Sequence, residues 1–340
     1  EDVTESWLNK RDTSKPFCLV IGHKSTHRTW LPDTTDMGMF DDVTFPLPGN
    51  FYDDYDNRAA AKVQDMTIAQ TMLLGYDLKM LPADNKEAAV TRMNAAQRNK
   101  FNAYYQPVYA RFKAGNLSGR VLTEWKYQRY MKDYLSTAAA LDRNIGRTLD
   151  YLDRHQLADN TIVMYLSDQG FYMGEHGWFD KRFMYEESFR TPMMLRYPGV
   201  VEPGTKLNEY VMNLDIAPTC LDAAGVAIPE GMQGQSILPL LSGKKIKGRE
   251  AMYYHYYENG EHAVSPHFGI QTKRYKLIRF YKRVNSWELY DLQKDPHDMH
   301  NLYGRKGYEK VTRELKSQLS ALIAQYEDGD ARQILSGEAP

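Results

Sequence analysis

The chain has 340 residues, with 43 Lys and Arg against 44 Asp and Glu, which gives a net charge of −1. This balance argues against a protein whose affinity depends on neutralising many phosphates, so we expect no nucleic-acid partner. No apolar run approaches the roughly 20 residues that cross a bilayer, so we expect no membrane span. Two cysteines are too few for a metal cluster or a disulfide framework.

The first 154 residues predict helices, one strand and a long loop. Residues 2–10 fit a short helix, and the continuous apolar run 16–22 predicts a buried strand. The stretch 24–58 has no clear period and predicts a long ordered loop, which inside a compact domain usually carries function. Over 124–154, apolar side chains recur every three or four positions, which predicts a long helix.

The second part of the chain changes character near residue 245. Before it, two more strands are predicted at 161–166 and 192–197, and strands that alternate with long helices indicate an α/β sheet covered on both faces. After it, short Tyr-rich segments separated by turns predict an antiparallel sheet, followed by a helix over 307–326. The four segments are 251–257, 268–271, 275–281 and 287–291. We therefore predict two domains, residues 1–245 and residues 246–340.

Polar residues directly after a predicted strand are the first candidates for a site, because ligands of open α/β sheets bind at the carboxyl ends of strands. Asp168 and Gln169 follow the strand at 161–166 and offer a carboxylate and an amide oxygen. Such hard oxygen donors suit Ca²⁺ or Mg²⁺. The alternative is an ordinary Asx turn at the end of a strand.

Two histidines and a lysine extend this set. His27 follows the strand at 16–22 and titrates nearest neutrality, so it could move a proton, although a structural histidine is the alternative. His176 lies between Gly174 and Gly177, where the backbone can approach a ligand, or simply turn. Lys181 could hold an anion or be an ordinary surface charge. Together, hard metal ligands, histidines and cations suggest a site for an oxyanion ester.

Several longer motifs occur in a fixed order along nearly the whole chain. They are Lys15-Pro16-Phe17, His23-Lys24-Ser25-Thr26-His27-Arg28, Leu141-Asp142, Ile145-Gly146, Ser167-Asp168-Gln169-Gly170, Gly174-Glu175-His176-Gly177, Asp180-Lys181, Tyr185-Glu186, Arg190-Thr191-Pro192, Asn213-Leu214-Asp215-Ile216-Ala217-Pro218-Thr219, Gly234-Gln235-Ser236, Lys273-Arg274-Tyr275-Lys276-Leu277, Glu288-Leu289-Tyr290-Asp291-Leu292 and Asp295-Pro296. In this order they resemble the type I sulfatases of the alkaline phosphatase superfamily. The likeness is greatest to bacterial sulfatases that act on N-acetylglucosamine-6-sulfate in mucin or glycosaminoglycan chains.

The resemblance implies both a fold and an activity. The fold would be α/β, an alkaline-phosphatase-like mixed sheet flanked by helices and incomplete on its N-terminal side, with a small C-terminal antiparallel α+β subdomain. The activity would be hydrolysis of sulfate esters on carbohydrates, with a sulfated carbohydrate as the partner. Bacterial members of the family are exported, which implies a periplasmic or secreted protein.

The resemblance also implies catalytic and metal-binding roles. Asp168 and Gln169 would bind one Ca²⁺ ion together with two further Asp, although the family commonly has Asn or His where this chain has Gln169. Lys181 would contact the sulfate and the bridging oxygen. His27 would protonate the departing sugar oxygen, although the family usually has Pro where this chain has Thr26.

Three more residues are candidate substrate contacts. Lys24 belongs to the motif of His27, and His176 would face the sugar. His267 lies in the predicted C-terminal subdomain, which in the family folds over the site. For His267, a packing role is an equal alternative.

The chain departs from the family at the nucleophile. Sulfatases use a formylglycine made from the Cys or Ser of a Cys/Ser-x-Pro-x-Arg motif, and neither Cys18 nor Cys220 begins such a motif. No Ser does so either. We therefore expect the chain to correspond to a sulfatase that begins after its nucleophile segment, and to be inactive alone.

Two other functions remain open from the sequence. A phosphodiesterase or phosphonate monoester hydrolase of the same superfamily would also use a metal ion and an activated nucleophile. These enzymes, however, often bind two transition metals through His and Asp. A non-catalytic sugar-binding fragment would use the Tyr-rich segment 253–257 together with His267.

Overall fold

The computed structural model describes residues 2–244 and 248–337, and its contacts divide the chain into two interleaved units. Unit 1 comprises residues 1–52, 66–161 and 173–180, and unit 2 comprises residues 53–65, 162–172 and 181–340. The predicted domain boundary between residues 245 and 246 lies outside the described residues and stays a prediction. Among the helices of the described part, none has the length and apolar character to cross a bilayer.

Helices and strands are numbered along the chain. The helices are α1 (Asp2–Lys10), α2 (Ala59–Lys62), α3 (Ala88–Thr91), α4 (Ala95–Gly115), α5 (Gly119–Arg154), α6 (Glu186–Phe189), α7 (Ile216–Ala223), α8 (Leu238–Leu241), α9 (Glu309–Gln325) and α10 (Gly329–Ser336). The strands are β1 (Val163–Leu166), β2 (Tyr172–Met173), β3 (Phe179–Asp180), β4 (Met193–Arg196), β5 (Ala251–Tyr256), β6 (His267–Thr272), β7 (Tyr275–Phe280) and β8 (Ser286–Asp291). Short 3₁₀ helices cover Ala158–Asn160, Glu175–Gly177 and Asn213–Asp215.

Unit 1 is organised around α5, which confirms the predicted long helix. Its first half carries buried polar side chains as well as apolar ones. The Nζ atom of Lys126 donates to the carbonyl oxygens of Ala69 and Met72, both at 3.0 Å. The bond to Met72 is buried and the bond to Ala69 is half-buried, so the lysine satisfies backbone acceptors that have lost part of their contact with water. The loop 69–72 is thereby tied to the helix.

Helix α4 was not predicted, although it begins with a recognisable capping box. Asn94 Oδ1 accepts from the Gln97 backbone N–H at 2.9 Å, and Gln97 Oε1 accepts from the Asn94 backbone N–H at 3.0 Å. This reciprocal pair satisfies two donors that the first turn leaves open. The helix buries Phe101 and Tyr105, one turn apart.

The predicted buried strand over 16–22 is wrong for this structure. Its residues form no strand in the described part of the chain, and Val20 is 88% exposed. A strand needs a neighbour to complete its ladder of hydrogen bonds, and an apolar run by itself supplies none. The predicted loop that follows is present, since residues 24–58 contain neither helix nor strand.

In unit 2, β1 pairs antiparallel with β4, with Val163 opposite Arg196. The strands predicted at 161–166 and 192–197 are therefore confirmed and lie side by side. The α/β class with a small C-terminal antiparallel sheet is also confirmed. That sheet has the order β5-β6-β7-β8, and all its neighbours are antiparallel.

The two faces of the C-terminal sheet have different surroundings. Residues that pair across strands share a face, so Ile270, Leu277 and Leu289 lie on one side. These three are fully buried in a core with α9 and α10. The opposite side carries Lys276 and Glu288 among other ionisable residues, and both are fully buried.

Gly269 tests how tightly that opposite side is packed. A Cβ at Gly269 would lie 2.4 Å from the Leu277 carbonyl oxygen and 2.8 Å from Met184 Sδ. We expect Gly269→Ala to lower the free energy of unfolding by about 1–3 kcal/mol, as overpacked cores do. The measurement is urea unfolding of both proteins.

The matched control is Gly260→Ala, where a Cβ would meet nothing within 4 Å. Its stability should stay within about 0.5 kcal/mol of the parent, as exposed substitutions do. Equal stabilities for the two variants would contradict the packing described for β6.

Candidate functional site

The loop after β1 presents the two predicted metal ligands. Asp168 is exposed, and its Oδ1 accepts from the Gln169 backbone N–H at 3.1 Å. Asn213 Nδ2 donates to the carbonyl oxygens of Ser167 and Asp168 at 3.1 and 3.0 Å. These bonds shape the backbone while leaving the Asp168 carboxylate at the surface.

The donor set of this loop fits a hard cation in kind. A carboxylate and an amide are oxygen ligands, which Ca²⁺ prefers, but Ca²⁺ takes six to eight of them. Among the described residues, the group of three His, Cys, Asp or Glu ligand atoms close enough to share an ion is Glu258, Glu261 and His262. That group does not include Asp168. The calcium site at Asp168 and Gln169 therefore stays a prediction.

Ser188 of α6 joins this loop to the segment of Lys181. Its backbone carbonyl accepts from the Gly170 N–H at 2.8 Å, and its Oγ accepts from the Arg182 N–H at 2.8 Å. Gly170 lies two residues after Asp168, and Arg182 directly follows Lys181. Within unit 2, the loop of the predicted metal ligands and the segment of the predicted sulfate-binding lysine therefore both bond to Ser188.

The packing at Gly170 leaves no space for a side chain. A Cβ there would lie 2.1 Å from the Glu187 carbonyl oxygen and 2.5 Å from that of Arg190. Only glycine permits this approach of the loop to α6. The segment of Lys181 is also constrained in its backbone, because Arg182 adopts a positive φ of 104°.

In unit 1, Lys24 and His27 belong to one turn. The His27 backbone N–H donates to the Lys24 carbonyl oxygen at 2.8 Å, and both side chains are exposed. The His27 Nδ1 lies 2.9 Å from the Arg28 carbonyl oxygen. An exposed imidazole at a turn is accessible to a substrate, as the predicted proton donor must be.

Arg28 fastens this turn to the unit. Its guanidinium makes two hydrogen bonds to the fully buried Asp77, at 2.5 and 2.7 Å. It also lies over the rings of Tyr76 and Phe179, at 5.3 and 5.1 Å from their centroids. A planar guanidinium with a bidentate carboxylate and aromatic neighbours has a well-defined orientation. Arg28 and Asp77 therefore fix the backbone from which His27 projects.

The other two predicted contacts, His176 and His267, are fully buried. His176 has a left-handed φ of 56° and lies 5.1 Å from the Trp178 ring, which fits the turn alternative. His267 lies among aromatic rings, the nearest being Phe280 at 4.9 Å. Burial lowers its pKa to about 4, so the ring is neutral at physiological pH. For His267, the packing alternative agrees with these surroundings, and the substrate contact stays a prediction.

The sequence reasoning missed the residues that organise the site. Ser188, Asn213 and Asp77 hold the candidate residues in place but carry no metal-ligand or proton-transfer pattern of their own. Asn213 stands in a motif that supports the family resemblance, which was the one available signal. The roles of Ser188 and Asp77 depend on contacts that sequence spacing does not reveal.

Comparisons with known proteins agree along the chain. The family described as Sulfatase matches residues 2–226, and the family described as N-sulphoglucosamine sulphohydrolase, C-terminal, matches residues 174–325. An N-acetylglucosamine-6-O-sulfatase of Bacteroides thetaiotaomicron is 43% identical over 97% of this chain and 61% of its own length. An arylsulfatase of Clostridium perfringens is 27% identical over 98% of this chain and 60% of its own length. The chain thus spans about three fifths of these curated relatives.

A solved structure shows the same likeness. The protein BT4656, in complex with its substrate D-glucosamine-2-N,6-O-disulfate, is 43% identical and superposes with a TM-score of 0.93. The match covers 97% of this chain and 69% of that one.

The contact between Arg28 and Asp77 can be tested by stability. We expect Asp77→Asn to lower the free energy of unfolding by about 1–3 kcal/mol, between the values for exposed and buried ion pairs, because Asp77 is buried whereas Arg28 is 28% exposed. The measurement is urea unfolding. Asp12→Asn is the control, since Asp12 and Lys15 form an exposed pair that should contribute little. Equal effects of the two substitutions would show that Asp77 does not anchor the turn.

Proposed function

Because the chain belongs to the sulfatase family, within the alkaline phosphatase superfamily, we propose that it serves the hydrolysis of sulfate esters on carbohydrates. The proposed substrate is 6-O-sulfated N-acetylglucosamine of mucin or glycosaminoglycan chains. The observation that carries this proposal is the likeness, over nearly the whole chain, to an N-acetylglucosamine-6-O-sulfatase and to a protein bound to a 6-O-sulfated glucosamine. Export to the periplasm or the medium belongs to the same proposal.

The reaction makes three chemical demands. The sulfur needs an oxygen nucleophile, the sulfuryl oxygens need positive charge, and the leaving alkoxide needs a proton. Lys181 supplies a cation on the segment held by Ser188. His27 supplies an exposed imidazole that can give a proton to the sugar oxygen. Lys24 lies in the same turn as His27, and we propose that it contacts the sulfated sugar.

A calcium ion would be held by Asp168 and Gln169, which are oxygen donors, and would supply further positive charge beside the sulfate. The family's formylglycine comes from a Cys/Ser-x-Pro-x-Arg segment, and these 340 residues contain none. We therefore propose that the chain alone does not turn over substrate.

The activity test compares two forms of the protein. The 340-residue chain is assayed alone and together with any residues that its gene encodes before Glu1, on N-acetylglucosamine-6-sulfate with calcium. We expect turnover only from the longer form. Turnover by the chain alone would contradict its proposed inactivity, and no turnover by either form would overturn the proposed function.

In the active form, His27→Ala and Lys181→Ala should each lower kcat by about 10²-fold or more, the usual contribution of a positioned acid or charge stabiliser. His300→Ala is the control for His27→Ala, because the side chain of His300 is 80% exposed. An equal loss in His300→Ala would remove the case for His27. Stoichiometric zinc or manganese in the protein would instead favour a phosphodiesterase or phosphonate monoester hydrolase.

His267 is tested separately, because its full burial argues for packing. We expect His267→Phe to leave the KM for the sulfated sugar within about twofold, because a buried packing residue makes no contact with the sugar. Loss of a binding contact that contributes about 1.4 kcal/mol would instead raise KM about tenfold. A tenfold rise in KM at unchanged thermal stability would restore the proposed substrate contact. Sugar binding that survives Asp168→Ala and His27→Ala, without turnover by any form, would favour the sugar-binding fragment.

A further inference from the structure

Helix α6 lies between a buried ion network and the two site segments of unit 2. We propose that Lys276 and Asp298 are positioning residues, which set through α6 the geometry of the Asp168–Gln169 loop and of Lys181. The consequence for catalysis rests on the proposed function. The structural part concerns only contacts within this chain.

The network holds the first residue of α6 by both its backbone and its side chain. The Glu186 N–H donates to Asp298 Oδ2 at 2.9 Å, and Glu186 Oε1 lies 3.0 Å from Lys276 Nζ. Lys276 Nζ in turn donates to Asp298 Oδ2 at 2.7 Å. Lys276 and Asp298 are fully buried, so water cannot replace the bond between them. The Glu186 N–H and the Lys276 ammonium both donate to Asp298 Oδ2, so the start of α6 depends on that one carboxylate oxygen.

A second contact fixes the residue before α6. Tyr185 OH donates to Glu288 Oε2 at 2.8 Å, and Tyr290 OH donates to the same oxygen at 2.7 Å. Register places Tyr290 opposite Lys276, so these anchors come from one face of the sheet. That face therefore fixes two successive residues, Tyr185 and Glu186.

Near its other end, α6 is hydrogen-bonded to both segments of the candidate site. Ser188 accepts the Gly170 N–H at its carbonyl oxygen and the Arg182 N–H at its Oγ, as described above. A Cβ at Gly170 would lie 2.1 Å from the Glu187 carbonyl oxygen, so the loop packs directly against α6. Close-packed interiors transmit displacements rather than absorb them.

Stability alone does not account for this network. Burial raises the pKa of Asp298 to about 6 and that of Glu288 to about 7, so ionising these carboxyls inside the fold is costly. Buried ion pairs are often no more stabilising than apolar side chains of the same volume. What an apolar replacement would not supply is a directional hold on the Glu186 N–H and carboxylate.

The experiment measures position directly by amide exchange in the 340-residue chain. Lys276→Met removes the ammonium, and Ser188→Ala removes only the hydroxyl that receives the Arg182 N–H. The matched control is Arg274→Met, which removes an ion pair with Asp291 beside the same sheet. NMR then follows the exchange of the Gly170 and Arg182 amides in each variant.

We expect Lys276→Met to speed the exchange of both amides at least tenfold relative to Arg274→Met. Ser188→Ala should speed the exchange of the Arg182 amide but leave the exchange of the Gly170 amide unchanged, because the backbone carbonyl of residue 188 remains. Unchanged exchange at both amides in Lys276→Met, whatever its Tm, would overturn the proposal. If Lys276→Met does not fold, Asp298→Asn is measured in its place, because it keeps the side-chain volume and removes the charge that pairs with Lys276. Unchanged exchange at both amides in Asp298→Asn would then overturn the proposal.

Catalysis is measured in the form that turns over N-acetylglucosamine-6-sulfate. Lys276→Met should lower kcat at least tenfold with KM within about threefold, since small misplacements of catalytic groups are costly. An unchanged kcat would overturn the catalytic part of the proposal. If no parent form is active, the proposed function fails, and the exchange data still decide whether Lys276 positions the loops.

Discussion

The ammonium of Lys276 is fully buried, and the carboxylates of Asp298 and Glu186 lie within 3.0 Å of it. A charge that has lost its water must keep such partners, because its desolvation is otherwise uncompensated. This requirement fixes where α6 begins relative to the C-terminal sheet. Ser188, two residues further, then fixes the two loops that carry the candidate ligands. The start of α6 and the two loops bonded to Ser188 are thus linked to one buried cation.

Unit 1 uses the same principle with a different pair. Arg28 and the buried Asp77 hold the turn that carries His27, while Lys126 of α5 holds the loop 69–72 through its carbonyls. The predicted catalytic groups and metal ligands, His27, Lys181, Asp168 and Gln169, stand on exposed or half-buried segments, whereas His176 and His267 are fully buried. The charged groups that anchor these segments, Asp77 in unit 1 and Lys276 and Asp298 in unit 2, are buried. Function and positioning are therefore divided between different residues.

The sequence predicted most of the regular structure of unit 2. The Tyr-rich segment 275–281 was expected as a strand and is found as β7, Tyr275–Phe280, because short apolar runs between turns are distinctive. The run 16–22 looked equally apolar but forms no strand, because pairing depends on a neighbour rather than on the run itself. Helix α4 was missed, although Asn94 and Gln97 form a capping box that sequence inspection can detect.

The site was predicted as a set of chemical groups rather than as a geometry. Asp168 and Lys181 could be named from motifs, since those motifs stand in a characteristic order. The part played by Asp298 could not, because it meets Glu186 across 112 residues of sequence and no local pattern marks such a contact. Long-range buried contacts are what sequence patterns describe least well.

The interleaving of the two units has a consequence for synthesis. Arg58 donates to the carbonyl oxygen of Asp298, a partner 240 residues further along the chain. At roughly 5–20 residues per second, the ribosome needs on the order of 10–50 s to make that partner after Arg58. Throughout that time the segment 53–65 has no completed unit to join. Unit 2 must therefore assemble late, when its last strands have emerged, and a ribosome stalled before β8 would leave its earliest segment exposed to chaperones and proteases.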